Sequence, residues 1–349
     1  MTSLRDAWSP VAYESRRPRL IARSRIICAI RETFVSQGFV EVETPCLQVC
    51  PGMEPNLTAF LTQLQGSDEK KAARFLHTSP EFAMKKLLVA GEKQIFQLAR
   101  VFRNGEAASI HHPEFTMLEW YRAKADYSAI MDDCVEIVRA TARAADTPRL
   151  TWKGRESDPH ARWQRMTVEE AFDKHAGISI FDTITTQRGP EARLLAAEAK
   201  KIGVRISDGD SWDDIFFKVF MERIEPQLGH PVPTIITEYP AHMAALARLK
   251  PTDPSVAERF EVYICGMEIA NAFSELTDAE EQRRRFENEQ EAKRTQGLKP
   301  YPIDEDFLDA LTHGMPESAG IALGIDRLVM TATGARDIAD VLWLPVAAP

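Results

Sequence analysis

From Val101 to Tyr121 the chain reads Val-Phe-Arg-Asn-Gly-Glu-Ala-Ala-Ser-Ile-His-His-Pro-Glu-Phe-Thr-Met-Leu-Glu-Trp-Tyr, and this stretch constrains the fold more than any other. It puts an arginine, adjacent histidines and an aromatic on what read as two neighbouring strands. The planar fork of arginine fits phosphate oxygens. The aromatic content of Phe115 to Tyr121 is that of a strand. Period-two alternation sends Phe115, Met117, Glu119 and Tyr121 to one face and Thr116, Leu118 and Trp120 to the other. One face therefore carries an aromatic, a carboxylate and a phenol, and with the arginine and histidines the combination suits a nucleoside triphosphate. Taken alone, the stretch is equally an ordinary half-buried hairpin whose arginine pairs with a surface glutamate.

Composition narrows the class. With 349 residues and a net charge of −9 the chain can bury one large core or two modest ones. An acidic total disfavours a broad, non-specific nucleic-acid surface, and Arg283-Arg284-Arg285 is the one basic cluster. That triplet lies in Asp278 to Arg294, a run polar enough to read as a solvated helix. There is no apolar run long enough to span a membrane, and Met1 to Arg19 lacks the core of a signal peptide, so a cytoplasmic protein is expected. Five cysteines give no disulfide framework, and Cys46-x-x-x-Cys50 lacks the second ligand pair of a zinc site.

Apolar residues at helical spacing predict a helix over 20–37, ending at Gly38. A second helix is predicted over Phe82 to Ala90, and a strand over Gln94 to Phe102. From about 155 to 255 the character changes. Thr167-x-x-Glu170 and Ser211-x-x-Asp214 read as helix starts, and prolines cluster at 226–240. This segment is expected to be a mainly helical insertion.

These features together resemble the class II aminoacyl-tRNA synthetases. Gly38-Phe-Val-Glu-Val-Glu-Thr-Pro45 is similar to their motif 1, Val101 to Tyr121 to motif 2, and Gly320-Ile-Ala-Leu-Gly-Ile-Asp-Arg327-Leu-Val-Met to motif 3. The resemblance implies an α+β fold, one catalytic domain over 1–349 built on an antiparallel sheet flanked by helices, with a short N-terminal arm (1–19) and a homodimer formed through motif 1. It implies ATP and Mg2+ as cofactors. Arg103 would sit on the α-phosphate, His111 near the outer phosphates, Phe115 under the adenine ring and Arg327 on the γ-phosphate. Asn104, Gly105, Glu106, His112, Ile269 and Gly324 would complete the nucleotide site, with Glu261 and Glu268 holding the metal.

Glu261 to Asp278 is similar to the amino-acid-binding segment of lysyl-tRNA synthetases. Glu275, Glu119 and Tyr121 would form an acidic pocket for a distal ammonium, while Ser79-Pro80-Glu81 would hold the amine nearest the carboxyl group. Glu268, Asn271 and Glu275 do not keep period two, so a bend or a helical turn must bring them inward together. Only 37 residues precede Gly38, so no anticodon-binding domain is expected. The chain thus resembles the short, stand-alone ligases that attach (R)-β-lysine to elongation factor P. Ala322, where the tRNA enzymes carry glycine, points the same way. The expected substrates are (R)-β-lysine or lysine with elongation factor P as acceptor, and a tRNA acceptor is the weaker expectation. A truncated lysyl-tRNA synthetase and a non-catalytic amino-acid or nucleotide sensor are the alternatives. Two positions depart from the motif 2 pattern. Gly105 stands where a glutamate belongs, with Glu106 next. His112 replaces an asparagine, and is expected still to donate to a phosphate or ribose.

Overall fold

The computed structural model describes residues 7–54, 57–185 and 189–346. Of the arm expected over 1–19, residues 1–6 lie outside these. The chain opens with helix α1 (Pro10–Ser36) and runs through β1 (Val40–Glu41), β2 (Leu47–Gln48), β3 (Leu61–Gln65) and β4 (Lys71–Leu76). Helix α2 (Glu81–Val89) leads into β5 (Gln94–Phe102), β6 (Glu114–Ala123) and α3 (Tyr127–Ala144). Next come β7 (Leu150–Trp152), β8 (Arg155–Ser157), β9 (Gln164–Thr167), α4 (Val168–Ala176), β10 (Ile184–Thr185) and β11 (Gly189–Pro190). Helices α5 (Ala192–Lys201) and α6 (Trp212–Val219) precede β12 (Thr234–Pro240), β13 (Leu249–Lys250), β14 (Asp253–Ile264) and β15 (Met267–Ser274). The last elements are α7 (Ala279–Thr295), α8 (Glu305–Gly314), β16 (Ser318–Gly324) and α9 (Ile325–Thr333).

Helix α1 begins ten residues before the predicted start at Leu20. Pro10 occupies the first helical turn, where its fixed φ suits the helix and its missing N–H is no loss, and Ser9 caps it by accepting from the Ala12 amide at 3.4 Å. Pro10 thus opens the helix, and Pro18 is carried inside it.

Among the described residues, nine strands form the central sheet, in the order β1-β5-β6-β16-β15-β14-β12-β9 with β13 beside β14. The six middle strands are antiparallel. Both edges depart from the expected all-antiparallel pattern, since β1 pairs with β5 and β9 with β12 in parallel. Strands β9 and β12 come from the segment read as a helical insertion. Its helices α4 to α6 form a separate apolar cluster around Phe172, Phe216 and Phe220, while its strands extend the sheet. Pro233 precedes β12 and Pro240 is its last residue, so the proline-rich composition hid a strand.

One face of the sheet is packed. Leu118 and Trp120 of β6 point into the main core, where Phe34 of α1 lies 4.7 Å from Phe96 and 5.2 Å from Trp120. Burying each of these rings contributes on the order of 2–3 kcal/mol. A buried polar link crosses this core: Arg23 of α1 pairs with Asp326 of α9 and donates to the Thr116 hydroxyl at 2.8 Å, while Asp326 accepts from the Thr116 amide at 2.7 Å. The opposite face holds the cavity described next.

Candidate active site

Alternation in β6 delivers Phe115, Met117, Glu119 and Tyr121 to the open face of the sheet, and all four line a cavity of about 400 Å³. Strand β5 ends one residue before Arg103, which also lines the cavity with its guanidinium 5.2 Å from the Phe115 ring centre. Strands β15 and β16 and the start of α9 close the floor with Glu268, Ile269, Asn271, Ala322, Gly324 and Arg327. Ser79 and Glu81, at the head of α2, form one end.

Glu268 and Asn271 are three residues apart and should face opposite ways. They share the cavity because the β14–β15 register shifts: Ala270 pairs with Val262 but Glu268 pairs with Tyr263, leaving Ile269 as a bulge. The expected bend is therefore a one-residue bulge with no helical turn. Asn271 and Glu275, four apart, keep strand alternation.

The amino-acid end is a buried charge network. Ser79 donates to Glu119 at 2.6 Å and the Tyr121 hydroxyl donates to the same carboxylate at 3.1 Å. Burial, and after it the Glu81 carboxylate, push Glu119 up to about 8. Glu275 does not line the cavity. It lies one layer behind, fully buried, with its carboxylate 2.5 Å from Lys85, which also meets Glu81 at 2.5 Å. Burial alone would lower the Lys85 ammonium, but Glu275 and Glu81 outweigh it and hold it above its usual range. Gly320 makes this layer possible. A Cβ there would fall 2.2 Å from the Tyr121 ring and 2.7 Å from the Glu275 carboxylate. Ala322, two residues on, pairs with Glu119 on one side and Asn271 on the other.

At the other end, Arg327 donates to the Glu268 carbonyl at 2.9 Å and approaches His111 Nε2 at 2.7 Å. Partial burial and this guanidinium lower the His111 pKa, so the ring is neutral and Nε2 accepts. His112 departs from expectation. It lines the cavity, but Nε2 accepts from the Val346 amide at 3.1 Å and Nδ1 lies 2.5 Å from the Glu114 carbonyl, so no ring nitrogen is left for a phosphate or ribose. Gly105 takes φ +84° in an open turn and Glu106 turns into the cavity wall; Asn104 stays outside, its amide tied to the Thr58 carbonyl at 2.7 Å. Pro80 caps α2 without reaching the cavity.

Glu261 is held on both oxygens, by Arg259 at 2.7 Å and by the Tyr263 hydroxyl at 2.5 Å. It faces a second cavity of about 540 Å³, which meets the first across Ile110, His111, Glu268 and Arg327. Glu268 is partly open; the surrounding protein and then Glu261 push it up to about 7. Apart from Arg327, 3.8 Å away, Glu268 has no ion-pair partner among the described residues, and a partly open carboxylate fits a hard dication, which usually takes only one or two protein carboxylates and completes its shell with phosphates and water. Glu261 could join with the lone pairs that Arg259 and the Tyr263 hydroxyl leave unused. Among the described residues, no three His, Cys, Asp or Glu side chains form a ready-made metal cage.

Sequence reading passed over Lys85, Arg259, Tyr263 and Glu54, which also lines the cavity. Signals existed for three of them. Lys85 follows Glu81 by one helical turn, and Arg259 and Tyr263 flank Glu261 at strand spacing.

A sheet of this topology, with an arginine on the outgoing strand of a hairpin and another on the helix after the last strand, defines a class of adenylate-forming enzymes. The family model for class II tRNA synthetases (D, K and N) matches residues 2–348, and the chain belongs to that family. It is 39% identical over 341 residues to an elongation factor P–(R)-β-lysine ligase of Salmonella dublin, covering 97% of each chain. A Salmonella paratyphi B protein of the same name is 38% identical over the same share. A lysine–tRNA ligase of Pelotomaculum thermopropionicum is 39% identical over 328 residues; these are 94% of this chain but only 63% of that protein's length.

Proposed function

We propose that this chain is an ATP-dependent ligase that activates (R)-β-lysine, or lysine, as an aminoacyl-adenylate and transfers it to a lysine ε-amine of elongation factor P. The observation that carries the substrate class is the charge count at the amino-acid end: Glu81, Glu119 and Glu275 face a single buried cation, Lys85. Such a pocket lacks positive charge, and a substrate bearing two ammonium groups supplies it. An acidic or amide side chain would leave the carboxylates uncompensated.

In the first step a carboxylate oxygen of the amino acid attacks the α-phosphorus of ATP and pyrophosphate leaves. Arg103 would neutralise the α-phosphate, Phe115 would stack on the adenine, and Arg327 with neutral His111 would grip the outer phosphates. Glu268, with Glu261, would hold Mg2+, which offsets charge on the leaving pyrophosphate. In the second step the acceptor amine, having lost its ammonium proton, attacks the acyl carbon, and AMP leaves as the amide forms. The helical segment within 155–255 is read as part of the same catalytic unit, working as a homodimer.

The identity shared with a lysine–tRNA ligase supports a second reading, in which the acyl group goes to tRNA. Amino-acid-dependent ATP–pyrophosphate exchange with (R)-β-lysine and α-lysine, followed by mass spectrometry of elongation factor P and acid-gel analysis of tRNA, separates the two. The expected outcome is faster exchange with β-lysine and a one-lysyl mass gain on the factor. Charging of tRNA with no change in the factor would overturn the protein-ligase reading.

A further inference from the structure

Glu54 and Leu57 both line the cavity, and the described residues around each are tied to the rest of the fold. The Thr78 amide and hydroxyl both donate to the Pro51 carbonyl, at 3.0 and 2.7 Å, which fixes Pro51 against the turn bearing Ser79 and Glu81. The Asn104 amide donates to the Thr58 carbonyl at 2.7 Å, and Lys293 and Tyr301 reach the Leu57 carbonyl at 3.3 and 3.2 Å.

Its placement is specific. Glu54, Ser79 and Glu81 line both the main cavity and a narrower cleft behind it, so together they form the partition between the two. Glu54 Oε2 is shut off from solvent and has no hydrogen-bond partner among the described residues. Gly52 makes the approach possible. At φ +140° it adopts a conformation disfavoured for other residues, and a Cβ there would fall 2.7 Å from both Glu54 Oε2 and the Thr78 hydroxyl. A buried carboxylate oxygen without a donor costs free energy unless a ligand completes it. Glu54 also adds to the negative charge felt by Glu81 and by Glu289 of α7; burial and then Glu54 push Glu289 up to about 8.

Resting on the reading of the cavity as a diamino-acid site, we infer that Glu54 is a specificity-determining residue that pairs with the ammonium nearest the substrate's carboxyl group. Glu119 and the Lys85 network serve the distal one. The partition beside Ser79 and Glu81 therefore favours substrates carrying an amine near the carboxyl group over those without it.

Calorimetric binding of (R)-β-lysine and of 6-aminohexanoate, which keeps the carboxyl group and the distal amine but lacks the proximal one, tests this on the full chain. Glu54→Gln should weaken β-lysine at least tenfold and leave 6-aminohexanoate within twofold, with ATP binding retained as evidence of a folded site. Glu54→Asp, which keeps the charge at shorter reach, should fall between. Equal weakening of both ligands, or of neither, overturns the assignment. Failure of the unaltered protein to bind either ligand overturns the diamino-acid reading itself, and the inference with it.

Discussion

Lys85 decides what the carboxylates around it can do. Its ammonium is shared between Glu81 and Glu275, so Glu275 acts on a substrate through the buried network rather than by forming an open wall of the pocket. That leaves Glu119 as the buried carboxyl placed to meet the distal ammonium directly, and its pH behaviour follows. Held up to about 8 in the folded protein against an ordinary value near 4.5, it takes up a proton on folding. The stability this lends the empty protein is fully present below about 4.5 and is lost as pH rises through 8. A bound ammonium reverses the preference and expels the proton. Affinity for a diamino acid should therefore rise between about pH 6 and 8, and binding at pH 7 should release protons. Calorimetry in buffers of different ionisation enthalpy measures that release, and a null result would mean that Glu119 is already ionised in the empty site.

At the scale of elements, the readable parts were those governed by one repeat. Alternation alone oriented β6 correctly, with Phe115, Met117, Glu119 and Tyr121 in the cavity and Leu118 and Trp120 in the core. The capping boxes at Thr167 and Ser211 marked the starts of α4 and α6. What stayed hidden depends on partners far along the chain. Nothing near His112 announces that the Val346 amide occupies its ring, and nothing near Glu54 announces that Pro51 is tied to Thr78. The bulge at Ile269 was visible only as a conflict of spacing. Strand β16 carries the sharpest prediction at this scale. Gly320→Ala puts a methyl group into the Tyr121 ring, so it should cost about 1–3 kcal/mol of stability by overpacking. It should also raise the KM for the amino acid at least tenfold with little change for ATP. Denaturant melts and exchange kinetics measure the two effects, and unaltered amino-acid kinetics would mean that Tyr121 does not shape the pocket.

Across the whole molecule, apolar side chains remain uncovered in the N-terminal elements: Val35 is 61% exposed on α1, Val40 50% on β1 and Leu61 65% on β3. The proposed homodimer would cover them. The protein should sediment at twice its 39.3 kDa, and Val35→Glu with Val40→Glu should return it to the monomer mass. A wild-type monomer would remove the proposed homodimer. The buried link between Arg23 and Asp326 gives the same architecture a dimension in time. These partners lie 303 residues apart, so at the usual pace of about 5–20 residues per second the ribosome finishes α1 roughly 15–60 s before it makes the aspartate that neutralises it. Throughout that interval the first helix carries a charge it cannot bury. A chain halted anywhere before α9 is consequently not a smaller version of this protein but one whose core is still waiting to close.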